Sequence, residues 1–185
     1  RFGVRLTNAG TFTGDILNDA TGVISIEGNS SAGVLLEGPV VGNITNLGTI
    51  NVIGDNAYGV RIAAPVTGKV TLGGQINVQG VNAVAEAIDA NIAGALVLQG
   101  SASATGYRYS SRPTTVDALN KLDADDLLQG GPAVRIGGDV SGGVLLQGLN
   151  YSTKVNSDGT TTTSTVTSSS TGTSSISVFG AAPAL

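Results

Sequence analysis

The chain has 185 residues, of which 28 are glycine and only 12% are charged, with a formal net charge of −4. It contains no cysteine, histidine, methionine or tryptophan. These absences exclude disulfides, thiolate metal sites and catalytic triads built on histidine or cysteine, and an acidic chain lacks the basic surface that nucleic acid requires.

A 26-residue period runs through the first half of the sequence. Ile24 returns as Ile50 and Ile76, and Leu36 returns as Ile62 and Ile88. A third aliphatic row runs through Ile44, Val70 and Leu96 at the same step. Its next member, Val144, follows after a longer interval. A fixed period of this length is typical of a solenoid.

Each period contains three short runs in which apolar and polar residues alternate, for example Ile50–Val52, Val60–Ile62 and Val70–Leu72. Alternation of this kind is the pattern of a strand with one buried face, and the glycine and asparagine between the runs suit tight corners. We therefore predict an all-β fold, a right-handed single-stranded parallel β-helix with three strands in each coil. Successive coils would stack at about 4.8 Å.

Equivalent positions along the chain give the number of coils. The row that begins at Val4 runs through Val34, Val60, Glu86, Val134 and Leu185. It predicts about five coils in a single β-helix segment, residues 1–185. Because Val4 and Leu185 have the same phase, and because no starting methionine is present, we expect the segment to belong to a longer chain.

The fourth coil is lengthened by an insertion over residues 107–131. Within it, Thr114–Asp123 reads as a short helix, with Pro113 and a threonine at its start and an apolar stripe of Val116, Leu119 and Leu122.

The fifth coil is lengthened by residues 149–174, which are rich in serine and threonine. The turn sequence Asn156–Gly159 and the alternation before it predict a β-hairpin insertion. One additional degenerate coil is the alternative, but the aliphatic rows are missing there.

The first insertion holds the candidate binding residues: Tyr107, Arg108, Tyr109, Arg112, Asp123, Asp125 and Asp126. The Tyr-Arg-Tyr run could form an aromatic platform that binds sugar or protein. Alternatively, one tyrosine only covers the side of the β-helix where the insertion leaves it. The acidic residues would suit glycoside chemistry or calcium, or a solvated helix face with pairs such as Asp117–Lys121. Because the calcium-loop spacing and a nucleophile–base pair are both missing, we expect no metal, no cofactor and no catalytic residue.

Two pairs of asparagines recur at the repeat distance. Asn51 and Asn77 should stack outside a strand, and Asn56 and Asn82 should stack at a corner. We expect both pairs to act as stabilising amide ladders.

The amino-acid sequence of the repeats resembles the passenger region of bacterial autotransporters (type V secretion), especially large surface proteins of alphaproteobacteria. The residues that carry this resemblance are Gly33–Gly38, Gly42–Ile50, Asn56–Val60 and Gly143–Gly148. Membership would imply a signal peptide before this segment, a membrane β-barrel after it, and a location outside a Gram-negative cell or on its surface.

The leading functional expectation is a structural or adhesive surface protein, a β-helical stalk or filament segment without catalysis. Its partners would be other surface proteins, glycans or copies of itself through open coil ends, with no nucleic acid. The alternative is a polysaccharide-active lyase or hydrolase of the pectate-lyase-like β-helix type. That alternative needs a row of acids on one face across neighbouring coils.

Overall fold

A computed structural model describes residues 1–106, 113–122, 131–147, 154–155, 161–162, 174–178 and 184–185. Three parallel five-stranded sheets run along the molecule, and each coil contributes one strand to each sheet. This arrangement confirms the predicted parallel β-helix with three strands in each coil.

Strands are numbered in chain order. Sheet 1 consists of β1 (Phe2–Leu6), β5 (Ala32–Leu36), β9 (Tyr58–Ile62), β12 (Val84–Ile88) and β15 (Val134–Ile136). Sheet 2 consists of β4 (Val23–Glu27), β8 (Thr49–Ile53), β11 (Gln75–Gln79), β14 (Ser101–Thr105) and β19 (Ser175–Val178). Sheet 3 consists of β3 (Ile16–Asn18), β7 (Ile44–Asn46), β10 (Val70–Leu72), β13 (Leu96–Leu98) and β16 (Val144–Leu146). A short parallel pair, β2 (Phe12–Thr13) and β6 (Val40–Val41), lies at a corner.

The strand register confirms the predicted rows. Ile24 pairs with Ile50 and Ile50 with Ile76 in sheet 2, and the row continues through Ala102 to Ile176. The rows through Ile62 in sheet 1 and through Val70 in sheet 3 are in register in the same way. The side chains of these rows form one continuous aliphatic core, since each inward residue packs on its counterpart in the next coil.

The predicted number of coils is close to the observed one. Each of the three sheets has five strands, so the chain completes four turns of the β-helix between the first and the last strand of a sheet. The amide of Val134 then donates to the carbonyl of Ala184 at 3.0 Å, which is the bond that would place Leu185 next in its row.

Left-handed backbone at one corner makes the turn from sheet 2 to sheet 1. Asn56 and Asn82 have φ of 53° and 57°, and Gly54 and Gly80 have φ of 157° and 143°. A Cβ on Gly80 would overlap the carbonyl oxygen of Gly54. Glycine is therefore required there by close stacking of the coils as well as by backbone conformation.

Both predicted asparagine ladders are present. Asn77 donates to Asn51 at 3.0 Å, and Asn82 donates to Asn56 at 3.5 Å. A third ladder was not predicted: Asn18 donates to the buried Asn46 at 2.7 Å.

The helix in the first insertion begins where the sequence predicts but is shorter. It spans α1 (Val116–Leu119), and the hydroxyl of its N-cap, Thr115, accepts a hydrogen bond from the amide of Ala118. Leu122 lies beyond its end, and the side chain of Val116 is 70% exposed, so the predicted apolar stripe does not form a buried face.

The second insertion contains the predicted hairpin pairing. Strands β17 (Lys154–Val155) and β18 (Thr161–Thr162) pair in antiparallel fashion, with Lys154 opposite Thr162. Among the residues that the structure describes, no helix is long and apolar enough to cross a membrane.

Candidate functional site

The seven residues predicted to bind a partner, Tyr107, Arg108, Tyr109, Arg112, Asp123, Asp125 and Asp126, all lie outside the described residues. Their roles therefore stay predictions. Asp117, which belongs to the described part of the same insertion, is exposed on α1.

The outer face of sheet 1 carries a unit of three side chains that occurs twice. In the first unit, the guanidinium of Arg5 lies 4.7 Å from the ring centroid of Phe2 and contacts Glu37 at 2.9 Å. Phe2 and Arg5 share strand β1, and Glu37 directly follows β5 in the next coil.

The second unit repeats this geometry two coils further on. Arg61 lies 4.8 Å from the ring centroid of Tyr58, and its Nε donates to Asp89 at 2.8 Å. Tyr58 and Arg61 share strand β9, while Asp89 directly follows β12. In each unit, the arginine therefore stacks on an aromatic ring of its own strand and binds an acid of the next coil.

The second unit is reinforced from the other side by Arg135. Its Nη2 donates to both carboxylate oxygens of Asp89, at 2.8 and 3.0 Å. Its guanidinium also lies 5.8 Å from the ring of Tyr58. Desolvation acts to lower the pKa of Arg135, but hydrogen-bonding and charge interactions with Asp89 and Tyr58 outweigh it and raise that pKa.

A cleft of about 320 Å³ lies between the two units. The intervening coil presents Ala32 in register with Phe2 and Tyr58, and Ala32 is 1% exposed because neighbouring groups cover it. The cleft is lined by the two aromatic residues, by apolar Ala32 and Leu35, by polar Ser30, Ser31 and Asn56, and by the charged Glu37 and Arg61. A concave surface with apolar walls and a few polar groups is the usual form of a ligand site.

The sequence contained a signal for this cleft. Phe2–Leu6 matches Tyr58–Ile62 residue for residue in type, as aromatic, glycine, valine, arginine and aliphatic. Val4 and Val60, at the centres of these two segments, give the register of the coils but not the contacts of the residues around them. The acids were missed because Glu37 and Asp89 lie in neighbouring coils, outside the matched segments.

A second feature, which the repeat pattern presents only as one position of a core row, is Glu86. It lies in register between Val60 and Val134, two core residues, and it is 2% exposed. Its Oε2 has no hydrogen-bond partner among the described residues, and burial raises the pKa of Glu86 to about 8. It is an acid within the aliphatic row, so it belongs to the core and not to the cleft.

In the part of the chain that the structure describes, no three acidic side chains gather in a way that could hold a metal ion. No protein-family model, curated protein or solved structure matches this chain.

Proposed function

We propose that this chain is a structural and adhesive segment of a β-helical stalk or filament, located outside a Gram-negative cell or on its surface, and that it acts without catalysis. The observation that carries the proposal is the in-register stack of three sheets around one aliphatic core. Such a stack is rigid because every coil is held by its neighbours, and its outer faces remain available for contact.

Charge pairing on the outer face of sheet 1 supports an adhesive role over a catalytic one. Glu37 and Asp89 are each bound by an arginine at 2.9 Å or less. Acid catalysis at a glycosidic bond requires two carboxyl groups that are placed on either side of the substrate and tuned to different pKa values. Two acids engaged in ion pairs suit the holding of neighbouring coils together.

The alternative, a polysaccharide-active enzyme, retains one favourable observation. Arg5, Arg61, Glu37 and Asp89 lie together on the outer face of sheet 1, and the pectate-lyase-like alternative places acidic and basic side chains on one face. Only the enzyme would cleave polysaccharide, so one preparation assayed for both adhesion and cleavage distinguishes the two functions.

The test combines imaging, adhesion and turnover on the purified chain. We expect copies of the chain to stack end to end into elongated particles by electron microscopy, since one segment of about five coils is only about 24 Å long. We also expect beads coated with the chain to adhere to cell or matrix surfaces more than beads coated with albumin. Polysaccharide incubated with the same preparation should keep its length and gain no unsaturated ends. Globular particles that cleave polysaccharide and do not adhere would refute the proposal.

A further inference from the structure

Glu86 is an acid that the core encloses without a partner. It lies in β12, in register with Val60 of the preceding coil and Val134 of the following coil, and it is 2% exposed. Its Oε2 has no hydrogen-bond partner among the described residues. A carboxyl group in such a place is tolerated while it is neutral, but its ionised form loses its hydration without compensation. Ionisation of Glu86 therefore opposes the closure of the coils around it.

No charged group within the described residues faces Glu86 from the strands that pack against β12, which are β9, β11, β14 and β15. Strands β11 and β14 contain no titratable residue. The titratable side chains of β9 and β15 are Tyr58, Arg61 and Arg135, whose contacts with one another and with Asp89 lie on the outer face of sheet 1. Desolvation is therefore what raises the pKa of Glu86 to about 8.

The two coils that enclose Glu86 are held to β12 by ladders of different extent. Strand β9 pairs with β12 from Val84 to Ile88, whereas β15 pairs with it only from Glu86 to Ile88. Glu86 thus lies inside the first ladder and at the end of the second. Its amide donates to the carbonyl of Ala133 at 2.9 Å, so separation of β12 from β15 would release its backbone and its side chain together.

Thr105 marks the same boundary in sheet 2. It ends β14, it is 3% exposed, and its Oγ1 has no hydrogen-bond partner in the described part of the chain. Thr105 is in register with Gln79 of the preceding coil, but β19 of the following coil pairs only with Ser101–Ala104. Two buried polar atoms without partners therefore border one step, between the fourth coil (β12, β13 and β14) and the fifth coil (β15, β16 and β19).

We propose that Glu86 is a pH-sensitive switch that opens the step between the fourth and fifth coils when its carboxyl group loses its proton. In the closed form, β12 and β15 enclose the neutral acid. In the open form, water hydrates the carboxylate while β9 and β12 stay paired. The contact of Arg135 with Asp89 spans the same step from outside, but it is partly exposed and offsets little of the cost of burying a bare carboxylate.

The direction of the switch follows from the two protonation states. The closed form keeps the proton up to the raised pKa of about 8, whereas a hydrated Glu86 has the ordinary pKa of 4.5. Closure is therefore most stable below about pH 4.5 and weakens as pH rises toward about 8. Between these values the ratio of open to closed form increases about tenfold for each unit of pH, and it levels off above them.

Hydrogen exchange at two equivalent amides of the full chain tests the proposal. The amide of Gly137 donates to the carbonyl of Ile88 at 2.7 Å, across the step between the fourth and fifth coils. The amide of Ala63 donates to the carbonyl of Leu36 at 2.8 Å, between the second and third coils. Exchange followed by NMR, corrected for its intrinsic pH dependence, gives the opening constant at each amide.

We expect the opening constant at Gly137 to exceed that at Ala63 at every pH and to rise about tenfold for each unit between about pH 5 and pH 8. Glu86→Gln should remove this rise, because an amide does not ionise. Glu86→Val, which continues the valine row, serves the same purpose if circular dichroism shows that Glu86→Gln does not fold. Glu37→Gln is the matched control, since it makes the same change on the outer face of sheet 1, and it should leave the rise at Gly137 unchanged.

Three results would overturn the inference. An opening constant at Gly137 that does not change with pH, or a rise that persists in a folded Glu86 variant, would show that Glu86 does not control the step. Equal opening constants at Gly137 and Ala63 would show that the coils open together and that no separate step exists.

Discussion

Arg135 donates to both carboxylate oxygens of Asp89 from the coil on one side. Arg61 donates to the same carboxylate from the coil on the other side, at 2.8 Å. One acid therefore ties together three consecutive coils of sheet 1. Its side chain is 22% exposed, and the two arginine side chains are 37% and 40% exposed. The pairing is partly screened by water, but it has bidentate geometry, which is the stronger form of such contacts.

We expect Asp89→Ala to lower the free energy of unfolding by about 1–3 kcal/mol, since it leaves two arginines close together without an acid. Glu37→Ala is the comparison, because Glu37 binds one arginine among the described residues, Arg5, in a more exposed pair. That variant should cost less than about 1 kcal/mol. Urea unfolding of both variants checks the difference, and equal losses would show that the second arginine adds nothing.

Stability should fall as pH rises, because of Glu86. Its pKa is about 8 in the folded chain against 4.5 for an exposed glutamate, so the folded state binds the extra proton between these values. Stability is then greatest below about pH 4.5 with respect to this group, falls as pH rises, and reaches its low plateau above about pH 8. The total change is on the order of 5 kcal/mol. The chain has no histidine, so few other groups titrate between pH 5.5 and 7.

Urea unfolding across pH 5–9 measures this slope, and Glu86→Gln should flatten it. Glu86→Val, which continues the valine row, should raise stability at pH 8 by about 2 kcal/mol or more, because it removes a buried charge. A wild-type slope that persists in Glu86→Gln would assign the titration to another group.

Gly80→Ala should destabilise the fold strongly. The new Cβ would overlap the carbonyl of Gly54, and φ at Gly80 is 143°, which L side chains rarely adopt. We expect a loss of more than about 3 kcal/mol or a failure to fold. Gly10→Ala is the control, because a Cβ at Gly10 meets nothing within 4 Å. It should change stability by less than about 1 kcal/mol, as circular dichroism melts would show.

Asn46 should contribute more to stability than the exposed ladders. It is 4% exposed, it donates to the carbonyl of Gly73 at 2.8 Å, and it accepts from Asn18 at 2.7 Å. Asn46→Ala should cost roughly 2–3 kcal/mol, since it leaves a buried carbonyl and an amide unpaired. Asn77→Ala, in a half-exposed ladder, should cost less than about 1 kcal/mol. A similar cost for both would mean that burial does not decide the contribution of these amides.

The sequence predicts the core of this fold well because one period fixes every register. Once Ile24, Ile50 and Ile76 are aligned, the inward rows of all three sheets follow, and so do the sites where the insertions leave and return. The length of α1 was wrong, because Val116 and Leu122 suggested an apolar stripe that the helix does not bury.

The outer face was harder to predict because its contacts join residues whose spacing differs from the repeat. Arg5 and Glu37 are 32 residues apart, and Arg61 and Asp89 are 28 apart. A search at one fixed period does not connect such pairs. Glu86 was overlooked for the opposite reason, since it keeps the period and was counted as a register landmark without regard to its charge.

The way the strands pair also determines how the molecule responds to force. Each strand of the three sheets bonds to the equivalent strand of an adjacent coil, so tension along the chain loads the bonds of one coil at a time. A chain stretched between its ends should therefore yield in steps. Each regular coil releases about 26 residues, on the order of 90 Å of extended length, and the coils that carry insertions release more. A chain built in this way would dissipate a pull gradually, and coils that had not yet opened would keep their contacts.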